Sequence, residues 1–252
     1  MLICKTAHIW LLIFQEKQSV MDHRSFVQSI FTRSAVHYDR MNDWMSFGMH
    51  DQWKQIAVDR CPLYPNDNVL DLACGSGDIT LKLHQSGPKS LRLYAADANQ
   101  EMLHKGRNRL LDEGVSSVSY CLCHAEALPF ANDFFHVIIS AFGLRNFTNP
   151  QNAIAEMYRS LRRGGHLRIL EFSQADNPLV RNAYSIHAQY IIPWLAEHIA
   201  HDTKSYSYLT ESIAAHPPKS TVCEWIRSCG FEAVRVHSIL GGLIALYEGV
   251  KC

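Results

Sequence analysis

The strongest constraint on the fold is an alternation between apolar runs and longer amphipathic segments, which extends from Asn68 to Phe172. The apolar runs show no polar alternation, which is typical of strands covered on both faces. Strands of this kind separated by helices favour a parallel sheet with helices packed against it. The predicted strands are 68–74, 91–97, 118–123, 136–142 and 166–172, and the predicted helices are 78–87, 99–114 and 149–165.

The C-terminal third of the chain departs from this alternation. Residues 174–221 read as a helical insertion that Pro193 interrupts. Two further strands, 232–239 and 242–250, are separated by a short glycine-containing turn, as in a hairpin. We therefore predict an α/β fold with a doubly wound, seven-stranded sheet, mostly parallel and ending in a C-terminal antiparallel hairpin.

The N-terminal residues do not fit this pattern. Residues 7–14, AHIWLLIF, form an apolar run that is too short to span a bilayer. Polar residues follow it, where a signal peptide would have a small-residue cleavage site. A true start at Met21 would explain this segment. We expect an extension outside the fold over 1–21 and a single domain over 22–252, which begins with a helix at 22–40.

Composition narrows the class of partner. The chain has 24 basic and 24 acidic residues, so a local basic patch is all that could attract nucleic acid, and we expect none to bind. Its eight cysteines include no Cys-x-x-Cys pair, and we expect neither a metal site nor a thioredoxin-type motif. Reduced thiols in a cytoplasmic protein are the expected state.

The first predicted strand ends in a glycine turn, within the stretch VLDLACGSGDIT at 69–80. Glycines in such a turn let the backbone approach a ligand, although a tight turn without a ligand is the alternative. The third small residue of a dinucleotide fingerprint is missing, and no Gly-Lys-Ser/Thr follows as in a P-loop. The pattern therefore favours a cofactor with a ribose but no pyrophosphate.

The second strand supports a ribose site. It ends at Asp97, twenty residues after Gly77, where a carboxylate could accept hydrogen bonds from both ribose hydroxyls. The alternative is that Asp97 only caps the helix that follows. After the third strand, His124 and Ala125 lie where backbone donors could meet an adenine ring.

Longer motifs resemble one family. D-x-A-x-G-[ST]-G-D followed by A-D-x-N-x-x-M-L resembles class I S-adenosylmethionine methyltransferases, which have a Rossmann-like fold. YDRMNDWMSFGMHDQWK (38–54), SAFGLRNFTN (140–149) and SYSYLTESIAAHP (205–217) resemble the C-methyltransferases of ubiquinone and menaquinone biosynthesis. The likeness covers residues 26–251.

The resemblance implies S-adenosylmethionine as the cofactor. Ser76 stands where most relatives have threonine, and Cys74 replaces a glycine. The cofactor-binding residues that it implies are Asp71, Gly75, Ser76, Gly77, Asp97, His124, Ala125 and Ser140.

The resemblance also implies a catalytic set. Arg145 and Asn146 would stabilise a phenolate formed on the substrate ring, because a guanidinium stays charged and is a poor base. The alternative for Arg145 is a salt bridge that supports a loop. Tyr38 and Asp39 would orient the ring hydroxyl or a water that takes its proton. Further candidate bases are His187, His201 and Glu171.

The implied substrate is a polyprenylated quinol, whose tail needs an apolar channel. The aromatic and aliphatic residues of 179–199 would form a lid over it, and the alternative is that they pack in the core. The expected further partners are the surface of the inner membrane or a quinone-biosynthesis complex, with a homodimer as another option. Rival functions are methylation of another small molecule and a cofactor-binding subunit without turnover.

Overall fold

The computed structural model describes residues 48–195 and 203–252, together with Ser25, Ser29, Ile30, Thr32 and Ser46. The predicted extension over 1–21 and most of the predicted helix over 22–40 lie outside the described residues. Tyr38, Asp39 and the candidate base His201 lie outside them as well.

All seven predicted strands form one sheet in the order β3-β2-β1-β4-β5-β7-β6. Strands β1 to β5 pair in parallel, and β7 is antiparallel to both β5 and β6. The predicted fold class is therefore confirmed. The strands are β1 (Asn68–Leu72), β2 (Arg92–Asp97), β3 (Val118–Leu122), β4 (Phe135–Ala141), β5 (Leu161–Phe172), β6 (Glu232–Ile239) and β7 (Ile244–Val250).

Helices cover both faces of the sheet. The first two helices bury Trp53 and Leu83 in one core cluster, and helices later in the chain bury Met157 and Ile226 in the other. The helices are α1 (His50–Asp59), α2 (Asp78–Ser86), α3 (Gln100–Asp112), α4 (Pro150–Ser160), α5 (Pro178–Ile186), α6 (Ile192–Leu195), α7 (Thr203–Ala214) and α8 (Lys219–Ser228).

Capping residues set the starts of α3 and α4. The side chain of Asn99 accepts a hydrogen bond from the backbone N–H of Met102 at 3.0 Å, and Asn149 does the same for Asn152. A side-chain oxygen at this position satisfies one of the amides that a helix start leaves unpaired. Asn99 is thus the cap of α3, and Asp97, the residue considered for that role in the sequence, is not.

The predicted end of the fourth helix was wrong. The helix was expected to continue to Gly165, but it ends at Ser160 and the following residues begin β5. The backbone carbonyl of Ser160 accepts from the N–H of Phe134, and Leu161 pairs with β4 while its carbonyl accepts from Lys251 Nζ. These tertiary contacts provide partners that a continued helix would have lost.

The predicted helical insertion contains a widened turn. Between α5 and α6, residues His187–Ile191 are π-helical, and Ile192 N–H donates to the carbonyl of His187, five residues back. Pro193 has no N–H to continue the α-helical ladder, which explains an irregular turn directly before it. None of the described helices is both long enough and apolar enough to cross a membrane.

Candidate active site

A cavity opens at the carboxyl ends of β1, β2 and β4. The strand order reverses direction between β1 and β4, and ligands of open parallel sheets bind outside the strands at such a point. The cavity is lined by Leu72, Ala73, Gly75, Asp97, Ala98, Asn99, Met102, Cys123, His124, Ala125, Glu126, Ala141, Phe142, Gly143, Asn146, Phe147 and Thr148.

The glycine turn forms one side of this cavity. Gly75 has φ +53° and Gly77 has φ +83°, conformations that residues with a Cβ rarely adopt. Helix α3 approaches the turn closely at Gly106, where a Cβ would lie 2.7 Å from the carbonyl oxygen of Gly75. The turn and the helix can therefore pack this closely only because glycine occupies these positions.

The carboxylate of Asp97 fixes this turn in place. One oxygen accepts from the N–H of Gly75 at 2.8 Å and the other from the N–H of Asn99 at 2.8 Å. Burial raises the pKa of Asp97, and the backbone donors oppose that rise. Each carboxylate oxygen can accept more than one hydrogen bond, so both keep acceptor capacity for a ligand.

Two non-glycine residues on the cavity wall have left-handed backbones. Ala73 and Phe142 both have φ +59°, and they follow the neighbouring strands β1 and β4. Strain of this kind persists only where the surroundings enforce it, and it clusters at functional sites. At Gly143 a Cβ would lie 2.7 Å from Ala73 Cβ, so the turns after the two strands can meet only through a glycine.

The predicted site residues divide into two groups. The cavity wall includes Gly75, Asp97, His124, Ala125 and Asn146. The others that the structure describes are buried or nearly buried behind that wall, namely Asp71, Ser76, Gly77, Ser140 and Arg145.

Asp71 is not part of the cavity lining, and its carboxyl contacts Thr80 in the first turn of α2. Its Oδ2 accepts from the backbone N–H of Thr80 at 3.0 Å and from the Thr80 hydroxyl at 2.6 Å. Burial raises the pKa of Asp71 to about 7, although the hydrogen bonds from Thr80 oppose the rise. These contacts give Asp71 a structural role, because its carboxyl links β1 to the start of α2.

Arg145 forms the salt bridge that was its alternative assignment. Its Nη1 donates to Glu171 Oε1 at 2.6 Å, and the two side chains are 6% and 0% exposed. The same Nη1 donates to the carbonyl of Phe142 at 2.8 Å, and the backbone N–H of Arg145 donates to Glu171 Oε2. Glu171, a candidate base, therefore holds the turn that follows β4.

Two residues near this pair carried no predicted role. The hydroxyl of Tyr208, on α7, donates to Asn146 Oδ1 at 2.9 Å. His216 is buried beside a second cavity of about 290 Å³, which also touches Arg145 and Tyr208. Burial lowers the pKa of His216. Both residues lie in the SYSYLTESIAAHP motif, and this motif is the sequence signal that could have identified them.

A third polar cluster supports the glycine turn from outside. Asp78, the first residue of α2, accepts from Lys54 and Arg109. Burial would raise the pKa of Asp78, but the two cations outweigh it and hold that pKa well below its usual value. Across the described residues, no group of His, Cys, Asp and Glu side chains could hold a metal ion.

Comparison with known proteins identifies relatives over most of the chain. The model of the ubiE/COQ5 methyltransferase family matches residues 17–251. A "Ubiquinone/menaquinone biosynthesis C-methyltransferase UbiE" of Burkholderia vietnamiensis is 41% identical over 225 residues, which cover 89% of this chain and 92% of that protein. A protein of the same name from Burkholderia thailandensis is 40% identical over the same shares.

Solved structures share the fold. A SAM-dependent methyltransferase of Aquifex aeolicus has a TM-score of 0.58 at 14% identity, covering 79% of this chain and 89% of that one. Phosphoethanolamine N-methyltransferase 2 of Haemonchus contortus, in complex with S-adenosylhomocysteine, has a TM-score of 0.61 at 14% identity. That match covers 84% of this chain and 56% of the other.

The environment of Asp71 predicts a pH dependence of stability. Because its pKa is raised from 3.8 to about 7, its contribution to stability is full below about pH 4 and is lost between about pH 4 and pH 7. Asp71→Asn removes the ionisation and keeps an acceptor for Thr80. We expect the stability of the variant relative to the wild type to improve by about 1–3 kcal/mol between pH 5 and pH 8. Urea unfolding at several pH values measures this difference, and a flat difference would contradict the assignment.

Proposed function

This chain belongs to the ubiE/COQ5 methyltransferase family, and on that premise we propose that it methylates a ring carbon of a polyprenylated quinol. It is an S-adenosylmethionine-dependent C-methyltransferase of ubiquinone or menaquinone biosynthesis. The observation that carries the proposal is the cavity at the strand ends, where the Asp97 carboxylate holds the glycine turn.

Two features of the cavity fit S-adenosylmethionine. Gly75 offers backbone without a side chain, and the carboxylate of Asp97 retains acceptor capacity that suits two ribose hydroxyls. His124 and Ala125 form the adjoining wall, against which the adenine ring would lie. Bound there, S-adenosylmethionine supplies an electrophilic methyl group. Ser76, Gly77, Ser140 and Asp71 would act by shaping the turn and strand ends, since they lie behind the wall.

The chain must also favour a phenolate on the substrate. A ring carbon beside a hydroxyl becomes nucleophilic when that hydroxyl loses its proton, and preorganised donors stabilise the resulting charge. Arg145 and Asn146 are the proposed donors. Glu171 already neutralises Arg145, so a phenolate would have to compete with this carboxylate for the guanidinium. Tyr38 and Asp39 complete the proposed set.

The helical run from α5 to α6 is the proposed lid and membrane contact. Its inner face buries His187 and Ile192. Its outer face exposes large apolar side chains, and Arg181 is the one Asp, Glu, Lys or Arg in its sequence from 178 to 195. Tyrosine and tryptophan suit the boundary between lipid and water. The exposed side chains are Leu179, Ile186, Tyr190, Ile191 and Trp194.

We propose that this face rests on the inner membrane from the cytoplasmic side, where the polyprenyl tail of the quinol would be available. A homodimer or a quinone-biosynthesis complex remains a prediction. The insertion over 174–221 would then serve as the substrate lid of a single domain over 22–252.

The first test of the function measures product and cofactor binding together. Wild-type protein should convert a short-tailed demethylated quinol to a product heavier by one methyl group, seen by mass spectrometry. Asp97→Ala should weaken S-adenosylmethionine binding by about 1.5–3 kcal/mol in calorimetry, because the ribose hydroxyls would lose their hydrogen bonds to a charged carboxylate. Asp112→Ala, which changes an exposed carboxylate on α3, is the control. Unchanged affinity in Asp97→Ala would rule out the ribose assignment, and absence of product would rule out the enzyme.

The second test separates the structural and catalytic roles of Arg145. Arg145→Ala should cost about 3–5 kcal/mol of stability, because it leaves the carboxylate of Glu171 buried without its cation. Adding Glu171→Gln to Arg145→Met removes both charges and should recover much of that loss. If Arg145 acts in catalysis, the recovered variant should still turn over roughly 100–1,000-fold more slowly than the wild type. Wild-type turnover in this folded double variant would make Arg145 purely structural.

The third test concerns the membrane. Replacing Tyr190 and Trp194 by serine should lower binding to phosphatidylethanolamine–phosphatidylglycerol vesicles by roughly tenfold or more, because two apolar rings no longer leave water. Co-sedimentation measures the bound fraction. Tyr64→Ser, at an exposed tyrosine before β1, is the matched control. Equal binding by the double variant and the control would show that this face does not touch the membrane.

A further inference from the structure

Tyr208 joins the helical insertion over 174–221 to the turn beside the cofactor cavity. It lies on α7, and its hydroxyl donates to Asn146 Oδ1 at 2.9 Å. Asn146 lines the cavity and lies 62 positions earlier in the chain. This hydrogen bond is therefore a direct link between the helical insertion and the cofactor side of the site.

The link continues from Asn146 into the backbone. Asn146 Nδ2 donates to the carbonyl of Phe142 at 3.2 Å. The opposite orientation of the amide would place Oδ1 against that carbonyl, so the two neighbours fix which end of the amide faces which partner. Tyr208, Asn146 and the Phe142 carbonyl thus form one chain of hydrogen bonds in a single direction.

The last member of this chain is strained. Phe142 has φ +59°, and its carbonyl accepts from both Arg145 and Asn146 while its N–H donates to Leu170 O at 2.7 Å. Its ring contacts Trp53 and Phe172, with centroid distances of 6.4 and 5.1 Å. A left-handed aromatic residue persists only when its surroundings enforce the conformation. The Asn146 amide is one of the contacts that do so.

We propose that Tyr208 is a positioning residue for methyl transfer, which holds the Phe142 segment of the cavity wall through Asn146 and so couples the seating of α7 to the geometry of the site. The proposal rests on the proposed function, because its catalytic effect is measured on methyl transfer. Tyr208 bonds to Asn146, which follows β4, whereas Asp97 is at the end of β2. Loss of Tyr208 should therefore affect turnover more than cofactor affinity.

The test begins with Tyr208→Phe, which removes the hydroxyl and keeps the ring. We expect kcat for a short-tailed demethylated quinol to fall roughly three- to tenfold, as for one lost hydrogen bond. The Kd for S-adenosylmethionine should stay within about twofold. Hydrogen exchange should become faster in the peptide that spans residues 142–147. Tyr64→Phe, which removes an exposed hydroxyl elsewhere, should match the wild type in all three measurements.

A double-mutant cycle isolates the route. Asn146→Leu removes both hydrogen bonds of the amide, so adding Tyr208→Phe to it should have no further effect on kcat or exchange. Wild-type kcat in Tyr208→Phe, or an equal further loss in the Asn146→Leu background, would overturn the proposal. If the wild type makes no methylated quinol, the proposed function fails, and the exchange measurements decide the link to Phe142 alone.

Discussion

The site depends on a buried ion pair between Arg145 and Glu171. Glu171 belongs to β5 and has no exposed surface, and its carboxylate also accepts the backbone N–H groups of Arg145 and Phe172. An isolated carboxylate in such a place would cost several kcal/mol, so the chain is committed to a cation beside it. Because that cation also binds the Phe142 carbonyl, the end of β5 determines where the turn after β4 lies.

That turn interlocks with the one after β1. Ala73 and Phe142 occupy the same position relative to neighbouring strands and share the same left-handed φ of +59°. Each such residue costs on the order of 1–3 kcal/mol, which hydrogen bonds and packing around it must offset. Gly143 leaves room for Ala73, and Gly106 leaves room for Gly75. The shape of the cavity therefore follows from close backbone approaches more than from large side chains.

The sequence predicts what short-range physics determines. The sheet follows from periodicity, and Asp97 is placed at the cavity because a parallel strand ends there. Contacts between distant segments leave no periodic signal. The end of α4 depends on Lys251, 90 positions away from Leu161, and was predicted wrongly.

The same limit applies within the site. The glycine turn and Asp97 belong to one strand–helix–strand unit, so residue spacing alone pairs them. Arg145 and Glu171 are 26 positions apart, and Tyr208 and Asn146 are 62 apart. Motif resemblance marked Arg145 and Asn146 without naming their partners. A motif therefore identifies a functional residue such as Arg145, but it does not identify the opposite charge that pairs with it.

The pairing of Arg145 with Glu171 affects the electrostatics of the proposed methyl transfer. Methyl transfer from a cationic donor to an anionic ring carbon neutralises both charges. The two charged reactants therefore lose more hydration free energy than the transition state does when water is excluded. Opposite charges also attract more strongly in a medium of low dielectric constant. An unpaired guanidinium beside the ring would stabilise the phenolate too well and make its carbon less reactive. Paired with Glu171, Arg145 contributes a net charge near zero, so as a proposed donor it would hydrogen-bond the phenolate without adding a full positive charge beside the ring. A neutral, largely apolar surround is therefore better suited to this reaction than a strongly cationic one.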